Sequence, residues 1–176
     1  MNQKQKDIFS DLYRKYASYL YGVCLRYTKD KEDAEDVMQE GFIKIYNALE
    51  AFRGDANIKT WMQKIMVNTA INFYRHKKVI DFQSIEKSDV YWLKSDNEDV
   101  FSTLTAEELL NLMHDLPDGY RLVFNLYAIE GYKHREIAEM LNINEGTSKS
   151  QYSKARKMLQ ELAEVKLGIK EINVAL

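Results

Sequence analysis

The chain has 176 residues, 45% hydrophobic and 30% charged, with a formal net charge of −2. That balance excludes a disordered chain, which cannot bury enough apolar surface to offset its ordering entropy, and the length allows one domain or two small ones. With only 7 Gly and 1 Pro the turn chemistry that many short strands need is missing, so the expected class is all-α.

From Ile8 onward Ile8, Phe9, Leu12, Tyr13, Tyr16, Tyr19, Leu20, Val23, Cys24 and Tyr27 recur three and four apart, as one face of a first helix must. Cys24 is the single cysteine and cannot close an intramolecular disulfide. No uninterrupted apolar stretch opens the chain and no run approaches the ~20 residues of a membrane span, so a cytoplasmic protein is expected. After the polar break at Thr28–Lys31, a second stripe runs through Ala34, Val37, Met38, Gly41, Phe42, Ile45, Tyr46 and Leu49, with carboxylates in its first turns where the helix dipole favours them. Phe52–Asn57 reads as a loop containing Gly54. A third helix is expected from about Ile58 to His76. Its apolar side is Trp61, Met62, Ile65, Met66, Thr69, Ala70 and Phe73, and its opposite side Gln63, Lys64, Asn68, Asn72 and Arg75.

Between Val79 and about Leu104 periodicity fails, which predicts a linker over 79–104 between a domain at 1–78 and another at 105–165, with a tail at 166–176. Thr105-Ala106-Glu107-Glu108 has the form of a capping box ahead of Leu109, Leu110, Leu112 and Met113. Pro117 suits the first turn of the next helix, whose buried side is expected to be Leu122, Val123, Leu126, Tyr127 and Ile129, ending at Glu130-Gly131.

Two closely joined helices follow, about Lys133–Leu141 and Thr147–Leu162, in the segment HREIAEMLNINEGTSKSQYSKARKML. Ile137, Ala138 and Leu141 face inward, the small Ala138 permits a close crossing, and Asn142 can adopt the left-handed turn position: the layout of a helix-turn-helix. Thr147 or Asn144 can cap the second helix. Ser148, Tyr152, Ala155 and Leu159 share its inner side. Lys149, Ser150, Gln151, Ser153, Lys154, Arg156 and Lys157 are expected outward, with no acid between Gly146 and Met158. Cations neutralise phosphates and Gln or Ser can bond base edges, so this face fits a DNA major groove better than it fits an ordinary solvated basic helix.

The other constellations are weaker. Arg75-His76-Lys77-Lys78 closes the third helix, where the dipole alone favours cations. Asp33, Asp36 and Glu40 share one side of the second helix as a solvated face or a docking face for a basic partner. His76, His114 and His134 lack the Glu-x-x-His repeats of a di-metal bundle. Neither an activated nucleophile nor a Gly-rich phosphate loop is present. No cofactor, metal or enzymatic activity is expected.

The stretch DAEDVMQEGFIKIYNALEAFRGDANIKTWMQKIMVNTAINFYR resembles the second conserved region of extracytoplasmic-function sigma factors, of the sigma-70 family. LPDGYRLVFNLYAIEGYKHREIAEMLNINEGTSKSQYSKARKML resembles their fourth region. The resemblance implies that the second helix, through Asp33, Asp36, Val37, Gln39, Glu40 and Phe42, docks on the clamp of RNA polymerase's largest subunit. It implies that Phe52, Arg53, Asp55, Asn57, Lys59, Trp61, Lys64, Asn68 and Arg75 read and trap a flipped base of the minus-ten element. Thr147, Lys149, Ser150, Gln151, Ser153, Lys154, Arg156 and Lys157 would read the minus-thirty-five element. Where many relatives carry a β-branched residue and an arginine, this chain has Ser148 and Gln151. Implied partners are core RNA polymerase, promoter DNA and a membrane-bound anti-sigma factor; no small-molecule substrate is implied, and the active form would be a monomer. The competing reading is a regulator that uses the helix-turn-helix alone and binds symmetric half-sites as a dimer.

Overall fold

The computed structural model describes residues 3–77 and 105–169. The expected linker at 79–104, Lys78 and residues 170–176 of the expected tail lie outside them. Among the described residues every regular element is helical, and the chain divides into two compact units between Lys78 and Val79.

The first unit is a three-helix core. Helix α1 spans Gln3–Tyr27, starting earlier than its apolar stripe, and α2 spans Lys31–Ala48. Asp30 caps α2: its carboxylate accepts from the Asp33 amide at 2.8 Å, satisfying one of the donors that a helix start leaves unpaired. A 3-10 turn at Leu49–Ala51 leads to the loop and to α3, Ile58–Lys77. Asn57 starts α3, its carbonyl accepting from the Trp61 amide and its side chain from the Lys59 amide at 2.9 Å.

Leu20, Val23, Cys24 and Tyr27 of α1 pack with Ala34, Val37, Phe42 and Ile45 of α2 and with Met62, Met66 and Ala70 of α3 in one core. The first-helix stripe is buried only from Leu20 on, with Ile8 and Tyr13 each 44% exposed. That end is closed by an aromatic edge, Phe9 and Tyr13 against Phe42 and Tyr46, whose rings keep one side open. On α3 the buried face is wider than its predicted stripe, because α3 packs against α1 and α2 together: Val67, Ile71 and Tyr74 are buried as well, while Trp61, Ile65 and Phe73 are half-buried.

In the second unit Thr105 and Glu108 form the expected capping box at the start of α4, Ala106–His114, with bonds of 3.2 and 2.8 Å. The Thr105 amide and then the Thr105 hydroxyl, each donating to the Glu108 carboxylate at 2.8 Å, hold that carboxyl below its ordinary range. Pro117 stands just before α5, Asp118–Phe124, rather than inside its first turn. The wider π turn at Asn125–Ile129 then shifts the face presented by the chain. That shift corrects the expected buried side: Ile129 is 38% exposed, while Arg121 and Phe124 are buried with Leu122, Val123 and Leu126. The Arg121 guanidinium pairs with Asp118 at 2.9 Å and lies 3.5 Å from the Leu116 carbonyl. Helix α6 spans His134–Leu141 and α7 spans Glu145–Leu167. Ala155, Leu159 and Ala163 of α7 close a core with Leu112, Met113, Leu116 and Phe124. Lys166 and Leu167, placed in the tail from sequence, belong to α7, and Lys166 bonds Asp115 at 2.7 Å.

At the α2/α3 crossing, a Cβ added to Gly41 would collide with the Sδ of Met66, which is fully buried. Gly41→Ala should therefore lower stability by about 1 kcal/mol, overpacking outweighing the gain in helix propensity. In a Met66→Ala background, itself weakened by about 2–5 kcal/mol, the same change should become stabilising as the cavity accommodates the methyl. Urea denaturation of the four full-length proteins checks the reversal of sign.

Candidate nucleic-acid interface

The turn of the helix-turn-helix is made by Asn142, the one non-glycine residue with positive φ (54°) among the described residues. Its backbone lets the Ile143 amide reach the Ala138 carbonyl at 3.0 Å, the bond pattern that ends a helix through a left-handed residue. Asn144 then caps α7, accepting from the Thr147 amide at 2.6 Å, and the Glu136 carboxylate accepts from the Lys133 amide at 2.7 Å to fix the start of α6. Three local devices thus set the crossing of α6 and α7.

The outer face of α7 carries Lys149, Ser153 and Lys157 exposed and Ser150, Lys154 and Arg156 half-buried. Its charge is partly balanced within the helix. The Lys149 ammonium meets Glu145 at 2.6 Å, and this bond lowers the Glu145 pKa; Lys157 stands 3.9 Å from Glu161. Because α7 starts at Glu145 and not at Thr147, an acid stands in its first turn, just ahead of the acid-free stretch between Gly146 and Met158. The Ser150 hydroxyl donates to the Thr147 carbonyl at 3.0 Å, and Arg156 lies over the Tyr152 ring at 5.9 Å.

Two side chains expected on this face are inside. Thr147 is 6% and Gln151 2% exposed, since both fall on the helical repeat that runs on to Ala155 and Leu159. Among the described residues neither side-chain amide atom of Gln151 has a hydrogen-bond partner. Ser148 is fully buried, as expected, and the Oγ stands 2.9 Å from His134 Nδ1. His134 stacks on Tyr127 at 4.2 Å with Tyr152 beside it, so α6 and α7 are joined by a polar contact inside an aromatic group. Sequence spacing gave no sign of this contact between residues 14 apart.

In the first unit Arg53, Asp55, Asn57, Lys59, Lys64, Asn68 and Arg75 are exposed. Phe52 and Trp61 are half-buried with ring centroids 4.9 Å apart, so the loop is tied to the first turn of α3. Tyr19, read from sequence only as part of the first-helix stripe, and Gln63, read only as part of the polar side of α3, meet here: the Tyr19 hydroxyl donates to Gln63 Oε1 at 2.7 Å, and Lys59 Nζ lies 3.8 Å from the centre of the Tyr19 ring.

The face expected to dock a partner is also redistributed. Val37 and Phe42 are core residues and Asp33 is 8% exposed, because they lie on the side of α2 turned to its neighbouring helices. Asp36, Gln39 and Glu40 are exposed, and Ile43, unremarked in the sequence, is 61% exposed beside an apolar groove that also includes Phe9, Tyr13, Met38 and Tyr46. Among the described residues no group of three or more His, Cys, Asp or Glu could hold a metal, and no helix is long and apolar enough to cross a membrane.

Residues 12–79 match Sigma-70 region 2, and residues 106–159 match Sigma-70, region 4. The chain is 30% identical over 170 residues to the ECF RNA polymerase sigma-E factor of Haemophilus influenzae, covering 91% of this chain and 89% of that one. It is 33% identical over 143 residues to the RNA polymerase sigma factor SigV of Bacillus subtilis, covering 80% and 81%. The chain belongs to the extracytoplasmic-function sigma factors of the sigma-70 family. A solved chain of the same fold, from the sigma factor RpoE in complex with the anti-sigma factor NepR of Bartonella quintana, superposes with a TM-score of 0.54 at 21% identity, covering 90% of this sigma factor and 98% of that chain. The region 2 match accounts for the first unit, which a freestanding dimeric regulator would leave for ligand sensing or dimerisation. Sigma factors are non-catalytic transcription initiation factors.

The surroundings of His134 predict a pH dependence for the second unit of this sigma factor. Burial, then Lys149, lower the His134 pKa below 6.5, while Glu145 opposes them. The unfolded imidazole therefore takes up its proton first, and stability should fall as pH drops through 6.5 until the folded group titrates too. Amide exchange of α6 and α7 in the full chain at pH 7.5 and 5.5 measures the loss; His134→Gln should remove most of it, and an unchanged pH dependence in that variant would assign the effect elsewhere.

Proposed function

We propose that this sigma factor works through separate binding surfaces with no covalent step. It binds core RNA polymerase, recognises the minus-thirty-five and minus-ten promoter elements, and promotes melting. The α2 face of Asp36, Gln39 and Glu40, with Ile43 added, docks on the clamp of the polymerase's largest subunit. The loop Phe52–Asn57 and the exposed side of α3, with Lys59, Lys64, Asn68 and Arg75, hold the unpaired minus-ten strand; binding a flipped base there offsets unstacking of a few kcal/mol. The outer face of α7, through Lys149, Ser150, Ser153, Lys154, Arg156 and Lys157, reads the minus-thirty-five element, while Thr147 and Gln151 support that helix from inside.

The observation that carries this reading is the occurrence of both sigma regions, in order, on units that each present an exposed polar or basic face. The protein acts in the cytoplasm as a monomer, lacks enzymatic activity, and is held inactive by an anti-sigma factor anchored in the membrane. The sigma factor of Bartonella quintana, a chain of the same fold, is itself held in complex with an anti-sigma factor.

Reconstitution with core RNA polymerase on a promoter library tests the assignment. The wild-type chain should give a stable complex and initiated transcripts, and the absence of both would sink it. Lys154→Glu should weaken promoter recognition by about tenfold or more, with polymerase binding retained. Charge reversal at Asp36 and Glu40 should weaken the polymerase complex instead.

The net charge of −2 and the Glu145–Lys149 pair also predict that the free chain binds promoter DNA weakly, because acids on the same molecule offset counterion release. Fluorescence anisotropy across a salt series checks this; tight, salt-resistant binding by the isolated chain would contradict it.

A further inference from the structure

Tyr19 lies on α1, outside every segment assigned to DNA, yet it touches two side chains of α3 at once. Its hydroxyl donates to Gln63 Oε1 at 2.7 Å, and its ring face receives the Lys59 ammonium at 3.8 Å from the centroid. Lys59 and Gln63 stand four residues apart, one above the other on a single face of α3. The contact is therefore a clamp in which one rigid aromatic ring from a neighbouring helix orders two long side chains.

We propose that Tyr19 is a positioning residue for the minus-ten strand, presetting Lys59 for a backbone phosphate and Gln63 for a base edge; the proposal rests on the minus-ten assignment above. Both side chains lose rotamer freedom whenever they bind a ligand in one geometry. Tyr19 removes part of that freedom beforehand, which lowers the cost of capturing a flexible single strand. The Lys59 ammonium is exposed and so remains available to a phosphate while it rests on the ring. The bond to Tyr19 fixes the Oε1 edge of the Gln63 amide, so the side chain meets a base from a held position instead of a rotating one. The start of α3 carries the same order, since Asn57 holds the Lys59 amide and Phe52 packs on Trp61. Loop, first turn and clamp thus form one preorganised edge, of which Tyr19 is the member that comes from outside the sequence segment.

The test uses full-length protein assembled with core RNA polymerase and a forked promoter probe bearing a single-stranded minus-ten element, chosen from the library by the wild-type holoenzyme. Tyr19→Phe, which keeps the ring and loses the hydroxyl, should weaken probe binding by roughly threefold and reduce discrimination among bases at one minus-ten position. Tyr19→Leu, which loses both contacts, should weaken it by roughly tenfold. Polymerase affinity should stay unchanged for both. In a Lys59→Ala, Gln63→Ala background, Tyr19→Leu should have no further effect, because the groups that it positions are gone. If Tyr19→Leu costs the same in either background, the positioning role is overturned while the minus-ten assignment stands. If the Lys59→Ala, Gln63→Ala protein binds the probe as well as wild type, the role of this edge in holding the strand is overturned as well. Should the leucine variant fail to fold, the base discrimination of Tyr19→Phe decides alone, wild-type discrimination counting against the proposal.

Discussion

Helix α3 is pinned between α1 and α2, and the first unit depends on that arrangement. Met62, Met66, Val67 and Ala70 are fully buried and Ile71 nearly so, which restricts the part of the helix surface left for polar groups. Lys64, Asn68, Asn72 and Arg75 fall on that part, clear of the buried row through Met62, Met66 and Ala70. The same packing that stabilises the unit therefore lines up its exposed donors and cations, and the absence of a side chain at Gly41 is what allows Met66 to fill the crossing.

The second unit solves a different problem: the short α6 must be held at a fixed crossing on the much longer α7. Asn142 turns the chain, Asn144 and Glu136 satisfy the helix starts on either side, and the His134–Ser148 contact joins the two helices beside the Tyr127 and Tyr152 rings. Deeper in, Arg121 is wholly buried yet paired with Asp118. A buried ion pair contributes little net stability, but breaking it leaves an uncompensated charge, so the α4–α5 corner tolerates few alternatives.

Much of this was legible in the chain. Periodicity located each helix, the Thr105-Ala106-Glu107-Glu108 box marked the start of the second unit, and Asn142 was identified as the turn residue because short polar side chains visit the left-handed region at low cost. Where reading failed, the cause was a contact or register that no local window contains. The π turn at Asn125–Ile129 displaced Ile129 outward. Gln151 looked like a groove-facing donor by residue type, yet its place in the 147–151–155 row carries it inside. Val37 and Phe42 likewise followed the core stripe of α2 rather than its docking face. The Tyr19–Gln63 bond spans 44 residues, which composition and spacing cannot reveal.

Helix α7 is one uninterrupted rod of 23 residues, about 34 Å long at 1.5 Å per residue. Its N-terminal half carries the cations, and its far end is fastened to α4 by Lys166 and Asp115. A rod of this kind transmits displacement. A displacement applied where Lys166 meets Asp115 is therefore carried along the helix axis towards the cation-bearing half, so the second unit is built as a lever.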